Sequence, residues 1–297
     1  MAYPFLRWAG GKRWLGSRLP RLTPDSFGTY FEPFLGAANA FFRLSPRNSV
    51  LSDINEELIN AYTVLRDTPQ PLIDSLQTLE AGSAQYDRIR ALRPNDNLGR
   101  AVRFIYLNRT SWNGLYRVNS RGVFNVPYGW GDRPLSFDAR RLQSASSTLR
   151  CARLTAVDFE ESLSAAEAGD FAFVDPPYAF KRDRGGFLSY DKHVFSWTDQ
   201  ERLHEVLVGL NRRAVRFLLT EPDIPSIRRL FSDFRVRSVR RTSTIAANPS
   251  LRGPKRELII RNYPTPPHGA TNSRETRALK VGTQPVSGTG DSAPLRR

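Results

Sequence analysis

The sequence predicts an α/β fold built on a mainly parallel sheet. Short apolar runs alternate with stretches in which apolar residues recur every three or four positions. Residues 171–174 are apolar throughout, which is typical of a strand buried on both faces of a sheet. Strands that alternate with helices favour parallel pairing, because each helix returns the chain to the same edge of the sheet.

The elements of the first part of the chain follow in order. Residues 29–32 predict a strand, which is followed by a glycine turn and a helix over residues 37–44. A second strand over residues 49–53 precedes a helix over residues 55–66 whose apolar side chains share one face. If these strands pair in parallel, their carboxyl ends meet at one edge of the sheet.

The later part of the chain continues the alternation. Residues 198–210 predict a helix and residues 215–219 a strand. Thr198 followed by Glu201 matches a capping box, in which a hydroxyl and an acidic side chain close the first helical turn. The arginine-rich residues beyond 234 look like two closing strands joined by a loop.

Residues 55–145 interrupt the alternation. They predict an inserted, mostly helical module that carries a β-hairpin, so that residues 1–54 and 146–263 together form the α/β domain. Residues 264–297 contain no Phe, Trp or Tyr and are rich in Pro, Gly, Ser and Thr. Because such a composition cannot bury enough apolar surface to become ordered, we expect a disordered tail.

The composition excludes several classes of protein. Hydrophobic residues make up 40% of the chain, which is enough for a core. No run approaches the roughly 18 apolar residues of a membrane span, and no basic-then-apolar leader opens the chain, so we expect a soluble intracellular protein. The one cysteine, Cys151, excludes an internal disulfide and a cysteine zinc cluster. The three histidines are scattered, and we expect no metal site.

The positive charge is concentrated in short segments. Of the formal net charge of +15, residues 103–141 contribute +5 and residues 235–263 contribute +7. The tail adds +3, and the remaining charges cancel. A genomic preference for arginine would explain the abundance of arginine but not this clustering. Two local basic blocks favour contact with a polyanion such as nucleic acid.

Gly36 and Asp53 follow the first two predicted strands. Glycine lets the backbone turn sharply and approach a ligand closely, although a purely structural turn is an equal alternative. A carboxylate after the second strand, as at Asp53, accepts hydrogen bonds from ribose hydroxyls in many nucleotide-binding folds. The alternative is that Asp53 caps the helix that follows it.

Asp175, Pro176, Pro177 and Tyr178 directly follow the apolar strand. The two prolines remove two backbone donors and stiffen the chain, which leaves the Asp175 carboxylate and the Pro176 carbonyl as fixed acceptors. Tyr178 adds an aromatic face. Two acceptors and a stacking ring match a planar amine such as the amino edge of a nucleobase. The alternative is a rigid turn with Tyr178 in the core.

Together these motifs resemble the Dam-type DNA adenine methyltransferases. The motifs that carry the resemblance are the cofactor motif FLRWAGGK at residues 5–12, the glycine motif at 32–36, the acidic motif at 51–55, the DNA-reading hairpin at 108–129, the catalytic tetrapeptide at 175–178 and the segment at 187–200. They keep the order of the family over roughly residues 4–262. Ala38 departs from the pattern, because many members have a glycine there, and alanine would require a negative φ.

The resemblance implies a Rossmann-like methyltransferase sheet that binds S-adenosylmethionine and a target-recognition domain over residues 55–145. The implied catalytic residues are Asp175, Pro176 and Tyr178. The implied cofactor-binding residues are Trp8, Lys12, Gly36, Asp53 and Asp175. The implied DNA-binding residues, with the basic blocks taken into account, are Arg7, Arg109, Trp112, Asn113, Leu115, Arg117, Asn125, Pro127, Arg240 and Arg252.

The resemblance also implies the reaction. A methyl group would pass from S-adenosylmethionine to the 6-amino group of adenine in double-stranded DNA, after the base is flipped out of the helix. Two alternatives stay open, namely methylation of the 4-amino group of cytosine and a DNA-binding regulator without catalysis. We expect a cytoplasmic, nucleoid-associated monomer, with a transient dimer on DNA as an alternative. A short palindrome such as GATC is the target that the resemblance suggests.

Overall fold

A computed structural model describes residues 3–8, 10–131, 133–178, 195–242 and 254–264. These residues belong to one compact unit that ends at Pro266. The predicted disordered tail lies outside the described residues, apart from Pro264. Within the described ranges, no helix has both the length and the apolar character needed to cross a membrane.

In the described part of the chain, seven strands form one mixed sheet. The strands are β1 (Tyr30–Glu32), β2 (Ser49–Ser52), β3 (Ala152–Thr155), β4 (Phe171–Val174), β5 (Arg216–Pro222), β6 (Arg235–Thr242) and β7 (Pro254–Arg261). Their order across the sheet is β3-β2-β1-β4-β5-β7-β6. The first five are parallel, and β7 runs antiparallel to both β5 and β6. The predicted α/β fold with a mainly parallel sheet is confirmed.

The same part of the chain forms ten α-helices and two 3-10 helices. The α-helices are α1 (Leu19–Leu22), α2 (Asn39–Leu44), α3 (Glu56–Asp67), α4 (Pro69–Gln77), α5 (Ser83–Ala91), α6 (Asn97–Thr110), α7 (Ala139–Leu149), α8 (Phe159–Ser164), α9 (Trp197–Arg212) and α10 (Pro225–Leu230). The 3-10 helices are Arg13–Arg18 and Trp112–Gly114.

The core lies on both faces of the sheet. In β4, Phe171 and Phe173 belong to the cluster covered by α2, α3, α4, α6 and α7, whereas Ala172 and Val174 belong to the cluster covered by α8, α9 and α10. All four residues are buried. The continuous apolar run therefore has the cause that the sequence predicts, because each face of the strand meets a separate layer of helices.

Strand and helix bounds depart from the predictions where distant contacts intervene. Strand β5 extends three residues beyond the predicted end because Glu221 and Pro222 pair with β7. Helix α2 begins two residues later than predicted because Ala38 has a left-handed φ of +53°. The expected negative φ at Ala38 is therefore wrong. This residue completes a tight turn in which Gly36 also has a positive φ, of +44°.

The capping box of α9 lies two residues earlier than predicted. Ser196, not Thr198, is the cap, because its hydroxyl accepts from the Asp199 amide, and the Asp199 carboxylate accepts from the Ser196 amide at 2.8 Å. Glu201 accepts instead from the indole nitrogen of Trp197 at 2.7 Å. The predicted capping box therefore has the correct spacing but begins two residues too late.

Residues 55–145 are mostly helical, as predicted. They form helices α3 to α6, the start of α7, and a separate apolar cluster that contains Tyr86, Tyr106, Phe124 and Val126. The predicted β-hairpin is a looser chain reversal, with isolated bridges between Ser111 and Tyr128 and between Val118 and Phe124. Regular pairing is interrupted by the 3-10 turn Trp112–Gly114, in which Asn113 has a φ of +54°. The domain boundary itself stays a prediction.

The cap assignment predicts unequal effects of two alanine substitutions. Ser196→Ala removes an acceptor from the first turn of α9 and should lower the free energy of unfolding by about 1 kcal/mol. Thr198→Ala, the matched control at an exposed helical position, should change it by less than about 0.5 kcal/mol. Urea denaturation followed by circular dichroism measures both values. Equal losses would show that the assignment of the cap is wrong.

Candidate active site and nucleic-acid interface

The carboxyl ends of β1, β2 and β4 meet at one edge of the sheet. The three strands are parallel neighbours in the order β2-β1-β4, and the strand order reverses at β1. Gly36 follows β1, Asp53 follows β2 and Asp175 follows β4. In open α/β sheets, such a reversal leaves a crevice outside the strand ends in which ligands bind.

A cavity of about 900 Å³ lies along this edge. It is large enough for a nucleoside-sized ligand together with part of a second molecule. The sequence-predicted site residues that line it are Trp8, Lys12, Gly36, Asp53, Arg117, Asp175, Pro176 and Tyr178. The structure therefore brings the predicted cofactor-binding and catalytic residues together, although they come from distant parts of the sequence.

Lys12 and Asp175 form a nearly buried ion pair at the centre of the cavity. The Lys12 Nζ lies 2.6 Å from the Asp175 Oδ1, and the two side chains are only 4% and 17% exposed. Thr220 on β5 donates its hydroxyl to the same carboxylate oxygen at 2.7 Å. These contacts fix the carboxylate, because one donor lies on a strand of the sheet and the other is a nearly buried ammonium group of the N-terminal segment.

Lys12 also joins Asp175 to the tyrosine of the tetrapeptide. Its ammonium group donates to the Tyr178 hydroxyl at 3.1 Å and to the Gly10 carbonyl at 3.1 Å. The Nζ lies 4.9 Å from the centre of the Tyr178 ring. Tyr178 is partly exposed rather than part of the core, which contradicts the alternative interpretation of this motif as a rigid turn with a core tyrosine.

Asp53 is held by the glycine turn and by the residue that begins the next helix, but it does not cap that helix. Its two carboxylate oxygens accept from the amides of Gly36 and Asn55, each at 3.1 Å. The cap of α3 is Asn55, which accepts from the Leu58 amide at 3.1 Å. The alternative in which Asp53 caps the helix is therefore wrong. Burial raises the pKa of Asp53, while hydrogen bonds from backbone amides oppose the shift.

Trp8 covers the glycine turn closely. A Cβ atom at Gly36 would lie 2.7 Å from the Trp8 Cδ1, and Gly36 has a positive φ of +44°. Both the space and the backbone conformation therefore require glycine at this position. The buried Tyr62 hydroxyl donates to the Gly36 carbonyl at 3.0 Å, and this hydrogen bond helps to hold the turn in place.

The sequence predictions missed an aromatic wall of the cavity. Phe34 lies near Phe159, with ring centres 5.4 Å apart, and both contact Phe195. Asp158 and Arg202 also line the cavity and form an ion pair of 2.8 Å. Asp158 and Phe159 follow β3, a parallel strand that the sequence patterns did not predict, so the local sequence held no signal of their position at this edge.

Glu32 also lines the cavity, and the sequence analysis assigned it no role of its own. It is buried at the end of β1, where it accepts from the Tyr30 hydroxyl at 2.7 Å and the Phe41 amide at 3.0 Å. Burial raises the pKa of Glu32 to about 8, and the nearby Asp175 carboxylate adds to the shift. The hydrogen bonds from Tyr30 and Phe41 lower it only in part.

The predicted DNA-reading residues lie outside the cavity, with the exception of Arg117. Trp112 is 55% exposed and Leu115 is 38% exposed, at either end of the turn that contains Asn113. Arg117 donates from Nε to the Asn125 Oδ1 at 2.8 Å, so these two side chains form one polar unit. Pro127 is exposed, and its carbonyl accepts from the Trp112 amide.

Of the other predicted DNA contacts, Arg7 and Arg109 lie beside Trp130, and Arg240 lies on strand β6. The guanidinium groups of Arg7 and Arg109 each lie 5.0 Å from the centre of the Trp130 ring, and that of Arg133 lies at 4.3 Å. Arg240 is exposed on β6, the edge strand of the sheet. Arg252 lies outside the described residues.

The raised pKa of Glu32 predicts a stability that depends on pH. The fold retains the proton up to about pH 8, whereas the unfolded chain releases it near pH 4.5, so its stabilisation is complete below pH 4.5 and is lost as the pH rises to about 8. Glu32→Gln mimics the protonated acid and should flatten this decline by a few kcal/mol. Urea denaturation at pH 5, 6, 7 and 8 (roughly spanning this window) measures it.

The control for Glu32→Gln is Glu205→Gln, which changes an exposed carboxylate on α9. This variant should keep the slope of the wild-type protein. A slope that Glu32→Gln leaves unchanged would contradict the assignment of a proton to Glu32.

Comparison with known proteins identifies relatives over nearly the whole chain. Residues 8–245 match the D12 class N6 adenine-specific DNA methyltransferase family. The type II methyltransferase M1.LlaDCHI of Lactococcus lactis subsp. cremoris is 36% identical over 270 residues, which cover 88% of this chain and 95% of that protein. The type II methyltransferase M.MjaIII of Methanocaldococcus jannaschii is 32% identical, over 88% of this chain and 99% of that protein.

A third relative is the DNA adenine methylase of Escherichia coli (strain K12), which is 30% identical over 86% of this chain and 93% of that protein. The resemblance to Dam-type enzymes is thereby confirmed, and neither the cytosine alternative nor the non-catalytic regulator is favoured. The family methylates DNA adenine with S-adenosylmethionine as methyl donor, which accounts for a carboxylate and a nucleotide-sized cavity at the same sheet edge. The chain belongs to the D12 class N6 adenine-specific DNA methyltransferases.

Proposed function

We propose that Asp175, Pro176 and Tyr178 hold a flipped adenine for methylation of its 6-amino group, within a short site of double-stranded DNA. The observation that carries this proposal is the Asp175 carboxylate, fixed at the strand reversal by Lys12 and Thr220 and facing a cavity of about 900 Å³. This carboxylate and the Pro176 carbonyl supply two acceptors for the two hydrogens of the amine.

The two acceptors address the chemical difficulty of the substrate. The lone pair of the adenine amine is delocalised into the ring, so the nitrogen is a weak nucleophile. Hydrogen bonds to Asp175 and Pro176 draw the nitrogen towards tetrahedral geometry and localise that pair. S-adenosylmethionine supplies an electrophilic methyl group on a sulfonium. Positioning and fixed charge then provide most of the catalysis, since Lys12 and Thr220 orient the Asp175 carboxylate before the substrate arrives.

The cofactor-binding role falls to residues on the β1 and β2 side of the cavity. Asp53 has two carboxylate oxygens that suit the two hydroxyls of a ribose. The aromatic wall of Phe34, Phe159 and Phe195 suits a planar purine, because ring faces and edges stack favourably. Trp8, which comes from the N-terminal segment, covers the glycine turn at Gly36. The residues present therefore match S-adenosylmethionine in both polarity and shape.

A base in a duplex cannot reach this cavity, so it must leave the stack at a cost of a few kcal/mol. Trp112 and Leu115 are exposed apolar side chains at the two ends of the turn that contains Asn113, and they are suited to fill the gap that the base leaves. Arg117 lines the cavity and is oriented by Asn125, which suits it to contact a base edge beside the flipped nucleotide.

The basic surfaces supply the remaining binding energy. Arg7 and Arg109 on the Trp130 ring, and Arg240 on the edge strand β6, suit contacts with backbone phosphates. We place the recognition domain at residues 55–145 and the catalytic domain at residues 1–54 and 146–263. We further propose a monomer that acts on nucleoid DNA in the cytoplasm. Relatives named type II methyltransferases favour a restriction-modification context.

The catalytic assignment predicts the effect of removing the carboxylate. Asp175→Ala should lower the transfer of tritiated methyl groups to unmethylated DNA at least about 100-fold, because the amine loses its charged acceptor. Asp233→Ala, at an exposed position between α10 and β6 that does not line the cavity, is the control and should retain activity. Nucleoside analysis of the product should give N6-methyladenine. Equal incorporation by Asp175→Ala and wild type would rule out the mechanism.

The assignment of Arg117 predicts a change in specificity. Arg117→Ala should relax discrimination at one position of the target site by about 1–3 kcal/mol, because a base edge loses its donor. Arg121→Ala, at the exposed tip of the same reversal, is the control and should weaken all sites alike. Competition binding with single-base variants of the site measures both. A uniform loss for Arg117→Ala would assign this side chain to a phosphate instead.

A further inference from the structure

The chain reversal formed by residues 111–128, here called the recognition segment, contacts the cofactor side of the cavity through one aromatic pair. Tyr116 stacks on Trp8 with ring centres 6.0 Å apart and planes inclined by 19°. Phe104 of α6 packs against both rings, at 6.3 Å from Trp8 and 5.0 Å from Tyr116. Trp8 is the residue that covers Gly36 in the cofactor turn. A ring of the recognition segment therefore rests directly on the residue that closes the cofactor site.

Tyr116 belongs to two apolar clusters at once. It packs against the main cluster on one face of the sheet and against the cluster of the recognition segment that contains Phe124. Its ring lies 5.6 Å from that of Phe124. With Arg117 and Val118 it also forms one wall of the cavity. A displacement of Trp8 would therefore shift Tyr116 and, through the contact with Phe124, the rest of the chain reversal.

The backbone ties the same two segments together. Buried Asn108 accepts from the Arg7 amide at 2.9 Å and donates to the Arg7 carbonyl at 2.6 Å. It also donates to the Gly114 carbonyl at 3.3 Å. A Cβ atom at Gly114 would lie 2.5 Å from the Arg7 Cβ, so the turn lies directly against the N-terminal segment. Asn108 thus fixes the register of this junction and leaves the Tyr116 ring to transmit changes at Trp8.

We propose that Tyr116 is a positioning residue that couples the two ligand sites, so that cofactor bound under Trp8 orders the recognition segment and tightens the binding of target DNA. This inference rests on the proposed function. Coupling of this kind is reciprocal, so DNA must tighten cofactor binding by the same factor. Loss of the Tyr116 ring lowers that factor, whereas a residue that only maintained the fold would weaken both ligands and leave the factor unchanged.

The test is a binding cycle with S-adenosylhomocysteine, which lacks the transferable methyl group. Dissociation constants for a target duplex are measured with and without this ligand by fluorescence anisotropy. In the wild type, the ligand should tighten DNA binding at least about 5-fold. In Tyr116→Leu, the factor should fall below about 2-fold, and in Tyr116→Phe, which keeps the ring, it should match the wild type.

Tyr128→Leu is the matched control. Tyr128 packs against Tyr86 in the recognition cluster, with ring centres 5.4 Å apart, and is not part of the contact with Trp8. This variant should weaken DNA binding and keep the wild-type factor. A factor of one in the wild type, or an unchanged factor in Tyr116→Leu, would overturn the inference.

Hydrogen exchange on the wild type provides a second measurement that does not depend on the folding of any variant. Addition of S-adenosylhomocysteine without DNA should slow exchange at the amides of Asn119, Gly122 and Asn125, which bond only within the reversal. Unchanged exchange would also overturn the inference. A wild type that methylates DNA but shows no coupling contradicts only this inference, whereas a wild type that binds no DNA contradicts the proposed function.

Discussion

The ion pair between Lys12 and Asp175 is the interaction on which the rest of the site depends. Lys12 is almost fully buried, and a buried charge without its partner costs about 3–5 kcal/mol. The pair therefore holds the N-terminal segment against the end of β4. Because the same segment carries Trp8 and Arg7, one contact sets the position of the proposed catalytic carboxylate, of the Trp8 ring that covers Gly36 and of the Arg7 backbone that Asn108 binds.

The elements that local pattern predicted are those whose environment is uniform along the chain. Strand β4 has the predicted bounds, because every residue in it is buried and the apolar run has sharp ends. The end of β5 depends on its pairing with β7, which the local sequence does not encode. The cap of α9 was misplaced because Thr198 and Glu201 have the same chemistry and spacing as Ser196 and Asp199. Only the backbone conformation distinguishes the two frames.

The site was predictable where one residue carries the chemistry and not where several share it. Asp175 and Asp53 follow strands and stand beside residues that stiffen or turn the chain, so their positions were accessible from sequence. The wall formed by Phe34 and Phe159 was not, because each aromatic residue looks like ordinary core until the sheet order brings the ends of β1 and β3 to one edge. The contact between Tyr116 and Trp8 was not predictable for the same reason, because it joins residues that are distant in sequence.

The charge distribution resolves a conflict between the substrate and the chemistry. DNA is a polyanion, yet the amine needs a carboxylate acceptor, and Glu32 and Glu221 lie buried near that carboxylate. Burial, together with the charge of Asp175, raises the pKa of each glutamate to about 8, so both are protonated at neutral pH. The charge of Asp175 is balanced by Lys12 at 2.6 Å. The Lys12–Asp175 pair therefore adds little net charge to the cavity.

Most arginines that we propose to contact DNA lie outside the cavity, and Arg117 is the exception. Positive charge beside Asp175, beyond that of Lys12, would compete with the adenine amine for the carboxylate. In the proposed function, the arginines at the Trp130 ring and on β6 attract the DNA backbone from positions that do not contact the acceptor. The proposed function thereby assigns affinity and catalysis to different parts of the structure, and the segment that carries Tyr116 and Arg117 lines the cavity between them. In the proposed coupling, the contact between Tyr116 and Trp8 links the bound DNA to the turn at Gly36.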